Sequence, residues 1–467
     1  MYTSTFLSAL LLASTQAVAE PQHIELKGKI SGAQHQSYVA VPFDVPAGTQ
    51  HIEVSFDYDN SHRTVIDLGL EDPQRFRGWS GGSKKQFSLS ELAATPSYLA
   101  GPIIAGEWKL ILGVPNIRST SESSYHATIT LHSTIPDTQQ VIADKRGWYR
   151  GDLHAHSGQS DGWCQSKRAQ KVACPTEQGL SRAERLQLDF IAFTEHNSRA
   201  GFADVARLQP FYDNLLMLPG REITTFYGHA NVLGESGFID FRMTDNDFTA
   251  IQKQINNQAI TIINHPNLPS GEQCMGCGWQ ADANYNAVQA IEVANSSTLA
   301  KAGGKGLATT LWHQLLDQGY RLSATAGSDN HNPHELFQKW EAITVIEADN
   351  LSAEALYRGI RDGRAFIDLQ NQGASYLNFN ATQGEQQVAM GGVLEYHPQQ
   401  PLTLMLATDI EGSYWKVITS NATYEIPYTD IPHQLPAGID SAWLRVELYS
   451  EAAEPLLVSS PIYLHSL

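Results

Sequence analysis

Basic residues are scarce in this chain. Over 467 residues there are 31 lysines and arginines against 49 aspartates and glutamates, a formal charge of −18. Proteins that bind long nucleic acids or anionic membranes usually carry the opposite field, so neither is expected as a partner. A small anionic substrate stays open, because bound divalent cations reverse the sign locally. Low-complexity tracts are also missing: 42% of residues are hydrophobic and 17% charged, an ordinary globular balance. No apolar run is long enough to cross a membrane as a helix. Cysteine is limited to Cys164, Cys174, Cys274 and Cys277. An even, sparse set in an exported protein favours disulfides, with Cys164–Cys174 and Cys274–Cys277 the pairs nearest in sequence and the connectivity open. A four-thiolate zinc site is disfavoured, since only one of the two pairs has CxxC spacing.

What is present begins with an export signal over residues 1–19. A short apolar run, residues 6–13, precedes Ala17-Val18-Ala19, the small-residue pattern of a cleavage site. The expected location is periplasmic or secreted. Residues 20–140 alternate apolar and polar positions in short runs separated by Pro, Gly and Asn/Asp, which predicts an N-terminal β-sandwich. From 147 to 370 short apolar runs alternate with helix-compatible stretches, the pattern of an α/β domain, either barrel or open sheet. Residues 351–363 read as its closing helix, with Ser352 a cap and Gly363 a stop. Residues 371–467 return to strand-like runs and predict a small C-terminal β domain.

Chemistry-bearing side chains collect at strand ends within the α/β segment. His154 and His156 close the first apolar strand, with Asp161 five residues on. His196 ends the next strand, Glu222 follows a Pro-Gly turn, His229 begins a strand, His265 ends one, and Asp329 and His331 follow another. In barrels the C-terminal ends of strands assemble the active site, and His-x-His in a strand sends both imidazoles to one side. Each residue alone is more simply a loop histidine or a capping aspartate. Nine ligand-type residues on one rim are not explained that way. Histidines mixed with carboxylates suit zinc or manganese, with iron also compatible, rather than calcium or magnesium. There are too many donors for one tetrahedral ion, so two or three divalent ions are expected.

The same residues resemble the motifs of the PHP (polymerase and histidinol phosphatase) metallohydrolases. The resemblance rests on Asp152-Leu153-His154-Ala155-His156 with Asp161, Thr194-Glu195-His196, Gly220-Arg221-Glu222 with Gly228-His229, Asn264-His265-Pro266, and Gly327-Ser328-Asp329-Asn330-His331. It covers residues 148–370 and implies a distorted (β/α)7 barrel with three metals. One metal would take His154, His156, Glu222 and Asp329. A second would share Glu222 and take His229 and His265, and a third would take Asp161, His196 and His331. Asp152 would support the site without ligating. The flanking segments Asp67–Pro73 and Gly78–Gly82 are similar to those of exported CehA/McbA-type members. Two cysteine-bearing inserts, 162–178 and 270–285, depart from the pattern and are expected to shape the substrate entrance.

The resemblance implies hydrolysis of a phosphate ester by metal-bound hydroxide, with Arg199 or Lys305 candidates for stabilising phosphoryl oxygens. The expected partner is a small phosphorylated ester, with no obligate protein partner. A carbamate or carboxylic-ester hydrolase on the same centre is the enzymatic alternative. A ligand-binding module with a structural metal site is the non-enzymatic one.

Overall fold

The computed structural model describes residues 20–134, 140–272, 274–335, 337, 339–429 and 431–467. The expected export signal and the linker at 135–138 lie outside the described residues. The chain divides into two compact units, Met1–Thr138 and Gln139–Leu467. The whole is a mixed, strand-rich α/β structure.

The first unit is built of β1 (Gln22–Ser31), β2 (Ser37–Val45), β3 (His51–Tyr58), β4 (Val65–Glu71), β5 (Phe76–Gly81), β6 (Gln86–Ser90), β7 (Gly106–Asn116) and β8 (Glu122–His132). They form two antiparallel sheets, ordered β1-β8-β3-β6 and β2-β7-β4-β5. The period of two is visible in β3, where Ile52, Val54 and Phe56 are buried and Glu53, Ser55 and Asp57 face water. Those side chains share one core with Leu68, Trp108 and Leu110 of the other sheet. A buried ion pair, Arg77 to Asp72 at 3.0 Å, closes the β4–β5 turn.

The second unit carries β9 (Gly147–Ala155), a small hairpin of β10 (Trp163–Gln165) and β11 (Lys171–Ala173), then β12 (Phe190–His196), β13 (Leu216–Thr224), β14 (His229–Leu233), β15 (Ile260–Ile263), β16 (Ala290–Asn295), β17 (Ser323–Gly327), β18 (Ile343–Ala348) and β19 (Ala365–Asp368). The main sheet runs β17-β16-β15-β14-β13-β12-β9-β18-β19. It is mixed: β9, β12 and β13 are parallel, β14 is antiparallel to both its neighbours, and β15, β16 and β17 are parallel again. Its distant ends are tied together. Asp329 N, just past β17, donates to His154 O at 2.8 Å, and His156 N donates to Asn330 O at 3.0 Å. Thr344 Oγ1 on β18 both accepts from Ala326 N and donates to Ala326 O. These bonds bring the β9 and β17 ends, and the histidines on them, to one place.

Residues 371–467 fall in the same compact unit as the α/β segment. The strand Pro455–Ser459 pairs antiparallel with β19 and extends the main sheet through Trp443–Tyr449 and Tyr414–Thr419. One hydrophobic cluster runs from Leu180, Phe193 and Met217 to Leu377, Trp415 and Leu464. The closing helix spans Ala353–Arg361, with Ser352 Oγ accepting from Ala355 N at 3.3 Å and Gly363 beyond its end at φ +71°.

Candidate metal centre

All nine residues singled out in the sequence converge. Glu222 is at the middle, fully buried at the end of β13. His154 Nε2 lies 3.5 Å from Glu222 Oε1, His229 Nδ1 3.2 Å and His265 Nε2 3.3 Å. On the other oxygen, His156 Nε2 is 3.6 Å and His196 Nδ1 2.8 Å away. Asp329 Oδ1 stands 3.4 Å from both His154 Nε2 and His156 Nε2. Asp161 Oδ1 is 3.3 Å from His331 Nε2 and 3.6 Å from His196 Nε2.

Strand direction explains the convergence. In the parallel pair β12–β13, His196 sits opposite Glu222. Because β14 runs antiparallel, its first residue, His229, pairs with Thr224 at the end of β13 and so reaches the same rim. His265 and Asp329 have positive φ, 26° and 52°. A non-glycine residue in that region costs about 1–3 kcal/mol and persists where its surroundings enforce it, often at functional sites.

Four groups of these side chains offer ligand atoms within 4.8 Å of one another: His154, His156 and Asp329; His154, Glu222 and His265; His156, Asp161, His196 and His331; and His229, His265 and Cys277. The cluster has a closed and an open end. His154, His156, Glu222, His229 and His265 are buried, whereas Asp161 is exposed and His196 and His331 are half-buried. Burial pushes the Glu222 carboxyl up, but the surrounding imidazoles, led by His154, outweigh it and hold it well below the usual range. Burial, with His331 and His196 alongside, brings His156 down to about 4 despite the opposing pull of Asp329. Burial opposes the ionised form of Asp329 too, but His154 and His156 keep its carboxyl far below normal.

The donor set passes a direct test of fit to metal. His154 Nε2 and both ring nitrogens of His156 are buried without a hydrogen-bond partner. Buried polar atoms are normally paired, so a concentration of orphans on one point needs an occupant. The far ring nitrogen of His154 is fixed, Nδ1 meeting Glu292 Oε1 at 3.1 Å, and Asn264 Nδ2 donates to Glu222 Oε1 at 2.9 Å.

Several participants were not anticipated. Glu292, on β16, is buried and also accepts from His265 N at 2.7 Å. Its signal was an acid between Ile291 and Val293, where an aliphatic run gives no reason for a carboxylate. Thr224 Oγ1 hydrogen-bonds His196 Nδ1 at 2.7 Å. Asp152, expected to support the site, accepts from His154 N at 3.0 Å and Ser328 N at 2.9 Å through Oδ1, with Arg182 3.7 Å from Oδ2. Both inserts touch ligand residues. Trp163 N donates to His331 O at 2.7 Å, and Met275 O lies 3.2 Å from His229 Nε2. Arg199 donates to Ser236 O at 3.0 Å.

Of the cysteines, Cys274 and Cys277 form a disulfide, while Cys164 and Cys174 are buried free thiols. The expected Cys164–Cys174 bond is not made. The hairpin register pairs Cys164 with Val172, which leaves Cys174 two residues off the opposite position. Burial and the neighbouring Cys164 push the Cys174 thiol up to about 12. Among the described residues, no helix is long and apolar enough to cross a membrane.

No protein-family model matches the chain, and no curated protein matches it. Among solved structures it is similar to a two-domain protein from Bacteroides vulgatus containing a predicted PHP-like metal-dependent phosphoesterase, at 18% identity and TM-score 0.40, over 70% of this chain and 99% of that one. It is also similar to a candidate metal-dependent phosphoesterase from Bifidobacterium adolescentis, at 13% identity and TM-score 0.26, over 40% of this chain and 88% of that one. A third is PliG of Aeromonas hydrophila, a periplasmic inhibitor of g-type lysozyme, at 12% identity and TM-score 0.16, over 25% of this chain and 93% of that one.

Proposed function

We propose that the chain is an exported, PHP-type metal-dependent hydrolase of small phosphate esters, with a distorted (β/α)7 barrel as its scaffold. The observation that carries this reading is the set of nine ligand-type side chains around buried Glu222, with unpartnered donor atoms turned inward. His154, His156, Glu222 and Asp329 would hold one ion; Glu222, His229 and His265 a second; Asp161, His196 and His331 a third. Divalent zinc, manganese or iron bound there would supply Lewis acidity, lowering the pKa of water toward neutrality and offsetting charge on the substrate's oxygens.

The chain's own residues account for the rest. Glu292 holds His154 by the ring nitrogen that faces away from Glu222 and Asp329, and Asn264 donates to Glu222 Oε1, which fixes tautomer and orientation. The buried end excludes water from Glu222 and His154, so electrostatic interactions there are strengthened. The open end, at Asp161, His196 and His331, is where an ester would approach, between the hairpin of Trp163 and the loop of Met275. Three ligating carboxylates carry less charge than two divalent ions, so the loaded site attracts an anion even though the chain as a whole is acidic.

Turnover of nitrophenyl phosphate and nitrophenyl acetate by the metal-loaded protein tests this reading. Phosphate hydrolysis that is lost with a chelator and in His154→Ala is the expected result. Hydrolysis of the acetate alone would replace the phosphoesterase reading with the carboxylic-ester one.

A further inference from the structure

Cys277 stands with the ligand cluster rather than apart from it. Its sulfur and one ring nitrogen each of His229 and His265 lie within 4.8 Å of one another. It is fully buried, whereas its disulfide partner Cys274 is partly exposed. The loop between them is seated against the site. Met275 O meets His229 Nε2 at 3.2 Å. Gly276 has φ +76°, and a Cβ there would lie 2.0 Å from Thr225 O, so only glycine lets the loop come this close. A two-residue loop closed by a disulfide therefore places one sulfur beside two imidazoles that face Glu222.

We propose that Cys277 is a further ligand of the metal position formed by His229 and His265, withheld while it is bonded to Cys274 and released when a dithiol reduces that bond. The inference rests on the metal-centre reading above. A disulfide sulfur is a poor donor, whereas a thiolate beside two imidazoles makes a donor set suited to zinc or cobalt over magnesium or manganese. The step is thiol–disulfide exchange. One thiolate of the dithiol attacks the accessible Cys274 Sγ; the bond between the two cysteine sulfurs breaks, and its electron pair leaves on Cys277 Sγ. The second thiol of the dithiol, after losing its proton, attacks the mixed disulfide and frees Cys274. The dithiol is oxidised to a cyclic disulfide and the protein disulfide is reduced, two electrons in all. Access dictates which sulfur is attacked, and the one expelled is the one beside His229 and His265.

The test is cobalt(II) loading of the full chain, read by the near-ultraviolet thiolate-to-cobalt charge-transfer band. Four forms are compared: oxidised wild type, wild type reduced with a dithiol that is then removed, Cys274→Ser, and the double variant Cys274→Ser/Cys277→Ser. Cys274→Ser frees Cys277 with no reductant, and reduced wild type provides the same thiol should that variant fold poorly. The band is expected in reduced wild type and Cys274→Ser, and should be lost in oxidised wild type and the double variant. Cobalt bound by the reduced forms without the band overturns the proposal and leaves the metal centre standing. A band that survives in the double variant also overturns it. Failure of every form to bind cobalt overturns both readings.

Discussion

Glu292 Oε1 accepts a hydrogen bond from His154 Nδ1 at 3.1 Å, and this bond decides which nitrogen of His154 faces Glu222 and Asp329. The second oxygen of the same carboxylate accepts from His265 N at 2.7 Å. One buried acid thus sets a ring on β9 and a backbone turn after β15. Replacing Glu292 with Ala leaves both donors without partners in a dry site. Supporting groups of this kind typically contribute 10- to 100-fold to metal affinity, so Glu292→Ala should bind zinc about 10- to 100-fold more weakly in a chelator competition. Affinity within twofold of wild type would remove Glu292 from the account.

Gly327 lies against that pair. A Cβ added to it would stand 2.2 Å from Glu292 Oε1 and 2.4 Å from His154 Cβ. Gly327→Ala must push the two apart, at an overpacking cost of about 1–3 kcal/mol. The expected outcome is a lowered thermal midpoint together with loss of metal from the purified protein. Full metal content at an unchanged midpoint would show that the pair tolerates displacement.

Asp152 holds the site from behind. Its Oδ1 bridges His154 N and Ser328 N, and Arg182 lies between Asp152 and Glu341. Asp152→Ala strands two backbone donors and part of the Arg182 charge, and breaking a buried pair costs about 3–5 kcal/mol. Asp152→Asn keeps the acceptor and should lose clearly less. Urea unfolding of the full chain, followed by tryptophan fluorescence, gives the comparison. Equal losses in the two variants would mean that the bridging oxygen does not matter.

A pH dependence follows from the junction between the helix Thr309–Asp317 and the strand Trp443–Tyr449. Burial, and then the Arg445 charge, lower the His313 imidazole to about 4, and its Nε2 lies 3.0 Å from Arg445 Nε as the acceptor. In the unfolded chain a histidine titrates near ~6.5. Between these values the unfolded state binds more protons, so stability rises with pH across the window. The contribution is complete above ~6.5 and is lost as pH falls toward 4. His313→Gln should flatten that part of the stability–pH curve, and an unchanged slope between pH 4 and 6.5 would contradict the assignment.

The site was more legible than the architecture around it. His154, His156 and His196 follow apolar strands directly, so strand-end position alone announces them. His229 reaches the same rim because β14 is antiparallel, a pairing its own sequence does not encode. Glu292 was hidden inside a strand whose neighbours all read as core. Cys277 read only as half of a disulfide, because the sequence does not show that its loop folds back against Thr225. The short apolar run of residues 456–458 does not show that it pairs with β19 and joins the main sheet. Period reports local conformation, while partnership between distant strands is set by packing.

One buried constellation around Glu222 is expected to bind more than one divalent ion. Elemental analysis of the full chain, purified without chelator and compared with Glu222→Ala, tests it most directly. Two or three zinc, manganese or iron ions per chain are expected, with at least two lost in the variant, because Glu222 stands within reach of five of the six histidines. One ion or none in the wild-type chain, or a full complement in Glu222→Ala, would contradict it.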